Sequence, residues 1–422
     1  MLGKIFHTLF TRSATLIFNF LIVLGISRVL GAQGKGESTL IITSIYLIVF
    51  LANMSGGKTL IYLSPRFSAL QLLLQNYSGA LISSLLAAIV LFTFQLVPQQ
   101  WTYAILILAF LAAILEANAS LLAGKGAIKK HNILQGLQVF LTLLGLSLGF
   151  YLFKSKTLDS YIYALYFSYS TTLLLSFLWL LPKLSIINFE FSIDALKRSL
   201  NKSFEFQIAD MLLLLVYRIN FYLMLYFHGA ASLGLFSVGV SILEVAWLTG
   251  RSISFIQFSQ VSNTPEQKIA ANLSLSLIKA SLISSGIFLV LVLLIPGSVY
   301  AAIFGYAFEP ITLYMKWLVP GIWLHNIYLI TSHYFAGRGE NRINIYISLS
   351  GLICTFALGL ILIPNYAISG AGLAGTTGFG LMAIFAVAKF LRENKLNYKD
   401  LIPGEKDKTL LLEKIRSFIS KK

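Results

Sequence analysis

Arg28, Lys58, Arg218 and Arg251 each lie within, or at the end of, an apolar run long enough to cross a membrane. Placing a cation in hydrocarbon costs at least about 2.5–3.5 kcal/mol on insertion scales, so such residues usually face a wet cavity or a partner. A basic cavity suits an anionic cargo, because paired guanidinium groups bind phosphate oxygens bidentately and an ammonium acts as a point charge. Sequence depth orders the four. Lys58 and Arg251 lie toward the inner ends of their runs, Arg218 near mid-depth and Arg28 toward the outer end. A cargo moving outward would meet them in that order.

Three carboxylates share the same apolar stretches: Glu116, Asp210 and Glu244. A carboxylate in a dry site binds a proton readily, which suits coupling to a proton or Na+ gradient. Each is equally suited to neutralise an arginine. Glu244 and Arg251 are seven residues apart and share a helical face, and Asp210 lies more than two turns from Arg218, too far to pair with it directly. Glu244 and Asp210 are read as counter-ions to cations brought near them by the fold, and Glu116 keeps both roles. Lys279 and Lys316 sit close enough to helix ends for their ammonium groups to reach headgroups. Tyr161, Tyr163, Tyr166 and Tyr169, with Trp317, Trp323, His325 and His333, offer rings on which a sugar could stack, although an interfacial belt is the commoner use of such residues.

The elements that position these residues are apolar helices. Of 422 residues, 57% are hydrophobic and only 11% charged, and mean hydropathy is +0.81. Such a chain cannot cover a soluble surface of this size, so the bilayer is its solvent. The net charge of +16 is concentrated in short loops and the tail, which argues against a nucleic-acid partner. The single cysteine, Cys354, excludes an intrachain disulfide, and no cluster of His, Cys and carboxylates has metal-ligand spacing. No cofactor is implied. Residues 1–10 read as a basic lead-in to the first span rather than a cleaved signal.

Twelve candidate spans follow, with approximate cores 11–30, 39–63, 77–97, 102–123, 132–153, 158–181, 204–228, 232–258, 272–295, 312–336, 343–363 and 369–391. Pro98, Pro182, Pro296 and Pro364 mark boundaries. The second and eighth are interrupted by Gly56-Gly57-Lys58 and Thr249-Gly250-Arg251. Alternate loops are rich in Lys and Arg: Arg66, then Lys125, Lys129 and Lys130, then Lys183, Lys197, Arg198 and Lys202, then Lys268, then Arg338 and Arg342, whereas the loops between them carry only Lys35, Lys154 and Lys156. The positive-inside rule places these loops, and both basic termini, on the cytoplasmic side.

The chain also repeats. Gly31-Ala32 with Gly36 matches Gly229-Ala230 with Gly234 at a shift of 198, as Leu96-Val97-Pro98 matches Leu294-Ile295-Pro296. Ala123-Gly124-Lys125-Gly126 matches Ala336-Gly337-Arg338-Gly339 at a shift of 213, which puts an insertion of about 15 residues near Ser298–Thr312. The expected organisation is an all-α integral membrane protein of about twelve transmembrane helices. Its N-terminal six-helix lobe is 1–181, a cytoplasmic linker with a short amphipathic helix is 182–203, the C-terminal six-helix lobe is 204–391, and a basic amphipathic tail is 392–422. An even-helix repeat keeps the lobes in one orientation, related by an axis along the membrane normal.

Several motifs resemble the Wzx-type polysaccharide flippases of the multidrug/oligosaccharidyl-lipid/polysaccharide (MOP) exporter superfamily. They are Gly25-Ile26-Ser27-Arg28-Val29-Leu30-Gly31 with Gly34 and Gly36; Tyr217-Arg218-Ile219-Asn220 followed by Leu233-Gly234-Leu235-Phe236 and Glu244; Ile303-Phe304-Gly305; and Ile363-Pro364-Asn365-Tyr366 followed by Gly370-Ala371-Gly372. The chain departs from the family in carrying Asn220 for an aspartate and Phe236 for a tyrosine, which puts ion coupling at Asn220 in doubt. The resemblance implies two lobes around a central cavity and translocation of an undecaprenyl-diphosphate-linked oligosaccharide across the bacterial inner membrane by alternating access. Membrane lipids and other polysaccharide-assembly proteins are the implied partners. The main alternative is a drug or cation exporter of the same superfamily. A membrane-embedded enzyme on lipid-linked sugars would need acids or histidines in an outer loop, and the longest, 297–311, offers only Glu309. A lipid scramblase or assembly scaffold is a further alternative.

Overall fold

The computed structural model describes residues 2–53, 60–61, 64, 67–183, 193–264 and 266–401, with the side chains of 2–10, 12–13, 193–206, 249, 255–256, 259 and 263 left aside. Lys58, Arg66 and the tail 402–422 lie outside these residues. Within them the chain is all-α: α1 (Leu2–Ala52), α2 (Ala69–Phe94), α3 (Gln99–Gly124), α4 (Ile128–Ser147), α5 (Leu158–Leu180), α6 (Ile193–Leu243), α7 (Trp247–Asn263), α8 (Gln267–Leu294), α9 (Gly297–Phe304), α10 (Ile311–Gly337) and α11 (Arg342–Asn394). Because lipid offers no hydrogen bonds, a spanning segment must satisfy its own backbone, and helices do so. Pro98 and Pro310 stand at the starts of α3 and α10, where a missing N–H costs nothing.

Eight segments among the described residues are long and apolar enough to cross a membrane. Three of these are too long for a single crossing and are broken internally. α1 breaks at Gly31 (φ 66°) and α6 at Gly229 (φ 76°), the repeat-related pair. α11 would be about 80 Å long if straight, against a hydrocarbon core of roughly 30 Å. It breaks at Ala367 (φ 49°). Gly351 then lies against Met382, Gly378 against Thr355 and Gly370 against the Leu362 carbonyl, so α11 is an antiparallel hairpin. One expected span, 312–336, falls outside the set of eight; α10, which covers it, carries Lys316, Pro320, His325, Asn326 and His333 within it. Another, 232–258, is only partly inside: its first part belongs to the segment Gln207–Ala246, and the 3-10 turn at Glu244–Ala246 divides it from α7. The short amphipathic helix expected in the linker 182–203 is not separate from the following span: from Ile193 on it is the start of α6.

The second repeat match has the same local structure in both copies. The Lys125 N–H donates to the Leu121 carbonyl at 2.9 Å and Gly126 to Ala123 at 3.0 Å, while Arg338 donates to Tyr334 at 3.0 Å and Gly339 to Ala336 at 3.1 Å. Gly126 (φ 80°) and Gly339 (φ 81°) adopt the left-handed conformation that closes a helix and that only glycine reaches without penalty.

By internal contacts the chain divides into unit 1, Met1–Val238 with Gly297–Glu309, and unit 2, Gly239–Pro296 with Pro310–Lys422. Unit 1 has an apolar cluster of Leu60, Leu73, Leu121, Leu122, Leu134 and Leu180, crossed by a polar chain. In that chain Tyr77 Oη donates to Asn118 Oδ1 at 2.5 Å, and Asn118 Nδ2 donates to Ser176 Oγ at 2.8 Å. In unit 2, Gln257 donates to Ser274 at 2.7 Å and Ser281 to Asn326 at 3.0 Å. Such interhelical bonds between small polar residues hold helices together where lipid gives no hydrophobic drive for them to associate.

Candidate functional site

The seam between α1 after its break and α6 gathers the polar groups of unit 1. Gly36 packs on the Ala230 carbonyl and Gly234 on the Ala32 carbonyl, each the repeat counterpart of the other contact. One turn on, Thr39 Oγ1 donates to Ser237 Oγ at 3.1 Å, again between residues 198 apart. Ser44 and Tyr222 hydroxyls meet at 2.9 Å, and Gln207 Nε2 donates to the Asn53 carbonyl at 3.0 Å. The absence of side chains on the glycines lets the backbones touch, and the hydroxyl pairs fix the register below the crossing.

Arg218 lies on α6 one turn before Tyr222, half-buried, with its guanidinium carbon 5.1 Å from the Phe221 ring centroid. Lys35 is in electrostatic reach of it. Lys35 is only 6% exposed and its ammonium donates to Thr39 Oγ1 at 2.6 Å. Read from sequence as a loop residue, Lys35 is instead the most deeply buried cation of the described unit 1. The signal that marks it is the repeat, since its counterpart at a shift of 198 is Leu233, which is fully buried. A lysine here occupies a packing position.

The other candidates separate. Arg28 Nη2 donates to the Ala302 carbonyl at 2.7 Å, near the C-terminus of α9, where a cation meets the negative end of the helix dipole. Glu116 on α3 accepts from Gln135 Nε2 at 2.8 Å. It lies in electrostatic reach of Tyr46 and Tyr169, and Tyr46 is in reach of Arg218 as well. Of the tyrosines on α5, Tyr161 and Tyr169 are buried and Tyr163 is exposed. Asp210 is exposed near the start of the described side chains of α6.

In unit 2, Arg251 on α7 is exposed, with its guanidinium carbon 5.3 Å from the Trp247 ring centroid. That ring is fixed. Its Nε1 donates to the Ile322 carbonyl at 2.9 Å, and its ring packs on His325 at 4.7 Å and on Phe379 at 5.8 Å. Arg251 is thus held over a rigid aromatic cluster by cation–π attraction. Glu244 opens the 3-10 turn before α7, and Lys316 lies 5.5 Å from the Trp317 ring centroid on α10. Among the described residues no group of three His, Cys, Asp or Glu is placed to hold a metal ion.

No family model and no curated protein matches the chain. Solved structures do. An inward-facing multidrug resistance MATE transporter of the MOP superfamily aligns with TM-score 0.69 at 14% identity, over 90% of this chain and 94% of that one. The lipid II flippase MurJ in an inward closed conformation aligns with TM-score 0.69 at 15% identity, over 95% and 89%. The chain has the fold of the MOP transporters. A third match is a MOP superfamily transporter from Pyrococcus furiosus, described as having a binding pocket of reversed polarity that suggests a different function. It aligns with TM-score 0.62 at 15% identity, over 92% and 94%. The likeness reaches the superfamily fold and not the Wzx family that the motifs resemble. The matches described as MATE transporters outnumber the single flippase among those named.

Proposed function

We propose that the chain is an alternating-access transporter that moves a polyprenyl-diphosphate-linked oligosaccharide outward across a bacterial inner membrane. In this reading two six-helix lobes, 1–181 and 204–391, rock about a basic cavity, both termini are cytoplasmic, and the lipid tail stays in the bilayer while the head group crosses. Arg218 and Arg251 hold the diphosphate, Lys58 meets it first and Arg28 guards the outer end. Glu116 is the candidate for proton or Na+ coupling, with Asp210 and Glu244 as counter-ions. Membrane lipids and other polysaccharide-assembly proteins are partners, and no nucleic acid or cofactor takes part.

The observation that carries this reading is a MOP fold with cations set into its apolar helices. Arg218 lies in electrostatic reach of buried Lys35 in unit 1, and Arg251 is poised over Trp247 in unit 2. Cations concentrated this way attract an anion and repel a cationic drug. The second reading, a drug or cation exporter, draws its support from the larger number of MATE structures among the similar folds. The test is reconstitution in proteoliposomes with labelled lipid-linked oligosaccharide. The flippase reading expects vectorial movement without bond formation, and its loss in Arg218→Ala and Arg251→Ala variants that insert normally. Full transport by both variants would remove the basic site from the mechanism.

A further inference from the structure

One segment belongs to unit 1 by its contacts and to unit 2 by its chain. Residues 297–309, which include α9, pack into unit 1, while the chain on either side, Gly239–Pro296 and Pro310–Lys422, is unit 2. The N-terminal half of the repeat has no counterpart to it. There Leu96-Val97-Pro98 leads straight into α3, whereas after the matching Leu294-Ile295-Pro296 the chain runs on to Pro310, which opens α10 as Pro98 opens α3. The segment is closed on itself. Gly297 packs so tightly on the Glu309 carbonyl that a Cβ would collide with it, so the two ends meet. Phe304 and Phe308 are buried, with ring centroids 6.0 Å apart. Gly305 turns the chain after α9 at φ 112° and ψ 157°, a conformation open to glycine almost alone. Arg28 holds the segment to α1 by donating from Nη2 to the Ala302 carbonyl at 2.7 Å. That carbonyl is among the last four of α9, which lack partners within the helix. Phe20 of α1 meets Phe304 edge-on at 6.0 Å. Neither α1 residue is repeated: at a shift of 198 Arg28 and Phe20 correspond to Tyr226 and Arg218.

We propose that 297–309 is a strap that latches onto α1 and lets go of it once in each transport cycle, with Arg28 as the latch residue. The inference rests on the alternating-access part of the function proposed above and not on its choice of cargo. Rocking of one unit against the other changes the distance between α1 and the ends of α8 and α10. A strap bonded covalently to α8 and α10 at one end and docked on α1 at the other either yields or comes away. Its ends meet and its rings pack on each other, so it moves as one body with little slack of its own. The joint to α1 is a charge-assisted bond from an exposed arginine and an edge-on ring pair. That joint can open without unfolding the strap, and the resulting cost is small enough to be met in every cycle. Arg28 therefore holds the strap rather than the cargo. The loop charges put the strap on the outer side, so its release belongs to outward opening.

The test is a reversible lock in full-length protein carrying Cys354→Ala, reconstituted in proteoliposomes. Arg28→Cys with Ala302→Cys places thiols at two exposed positions, and a bis-methanethiosulfonate reagent spans the gap that the arginine side chain fills. A second pair, Phe20→Cys with Phe304→Cys, leaves Arg28 in place and so separates loss of the arginine from the lock. Transport is followed with labelled lipid-linked oligosaccharide and with a cationic dye. Crosslinking either pair stops transport of whichever cargo the reduced protein carries. Dithiothreitol restores it, and a monofunctional methanethiosulfonate leaves it running. With no lock, Arg28→Ala raises amide exchange across 297–309 at least about ten-fold, as expected for losing one charge-assisted bond, and Arg28→Lys keeps most of the protection. The proposal is overturned if the locked protein transports as fast as the reduced one, the behaviour of a strap that is only a structural cover. It is equally overturned if the monofunctional reagent stops transport as completely as the crosslinker, or if Arg28→Ala leaves exchange in 297–309 unchanged. Failure of the flippase reading looks different: wild type carries the dye and not the glycolipid, and the lock still stops it.

Discussion

Trp247 is a single side chain on which much of the C-terminal chemistry rests. It is almost fully buried, donates to the Ile322 carbonyl, packs on His325 and Phe379, and supports the guanidinium of Arg251. Trp247→Ala should destabilise the protein by about 3–5 kcal/mol, the usual range for emptying a buried aromatic site, measurable as a lowered melting temperature in detergent. Arg251→Ala removes only an exposed cation and should leave the melting temperature nearly unchanged while lowering transport. Arg28, Arg218 and Arg251 were legible in the sequence because a charge inside an apolar run stands out by composition alone. Their neighbours were not. The Ala302 carbonyl that Arg28 meets lies 274 residues away, and no local pattern announces a backbone acceptor. Lys35 was hidden for another reason: it sits four residues past a glycine, and the break made a buried position look like a loop.

At the level of elements, the repeat is expressed in hydrogen bonds. α3 and α10 end in the same pattern of carbonyl acceptors followed by a left-handed glycine, so Gly126→Ala and Gly339→Ala should each cost about 1 kcal/mol, read by thermal melting. The crossing of α1 and α6 is less forgiving. A methyl group at Gly36 would collide with the Ala230 carbonyl, so Gly36→Ala should separate the helices and lower stability by more than either cap variant. The inserted stretch near 298–312 corresponds to α9 and the turn Tyr306–Phe308. Phe304 packs on Phe20 at a ring-centroid distance of 6.0 Å, beside the bond from Arg28 to Ala302. Arg28→Ala should therefore speed amide exchange across 297–309 and leave exchange in α3 unchanged. The repeat was visible in sequence because small residues at caps and close crossings have few substitutes. The length of α6 was not, because a helix that continues from an amphipathic start into an apolar span changes its surroundings without any break in backbone propensity.

For the whole molecule, fold and cargo are supported by different kinds of observation. The MOP fold follows from alignment over nine-tenths of the chain with both a multidrug exporter and a lipid II flippase. The cargo rests on charge, with Lys35, Arg218 and Arg251 set into helices that would otherwise be apolar. Hydropathy alone made the class and most of the spans readable, since about 20 apolar residues have few other uses. It could not divide an exporter from a flippase, because that choice depends on a handful of side chains brought together from distant parts of the chain. The decisive measurement offers both cargoes to the same vesicles: uptake of fluorescently labelled lipid-linked oligosaccharide and of a cationic dye by reconstituted protein under an imposed proton or Na+ gradient. The account predicts movement of the anionic glycolipid, inhibited by added prenyl diphosphate, with no transport of the dye. Gradient-driven dye export with the glycolipid left in place would contradict it.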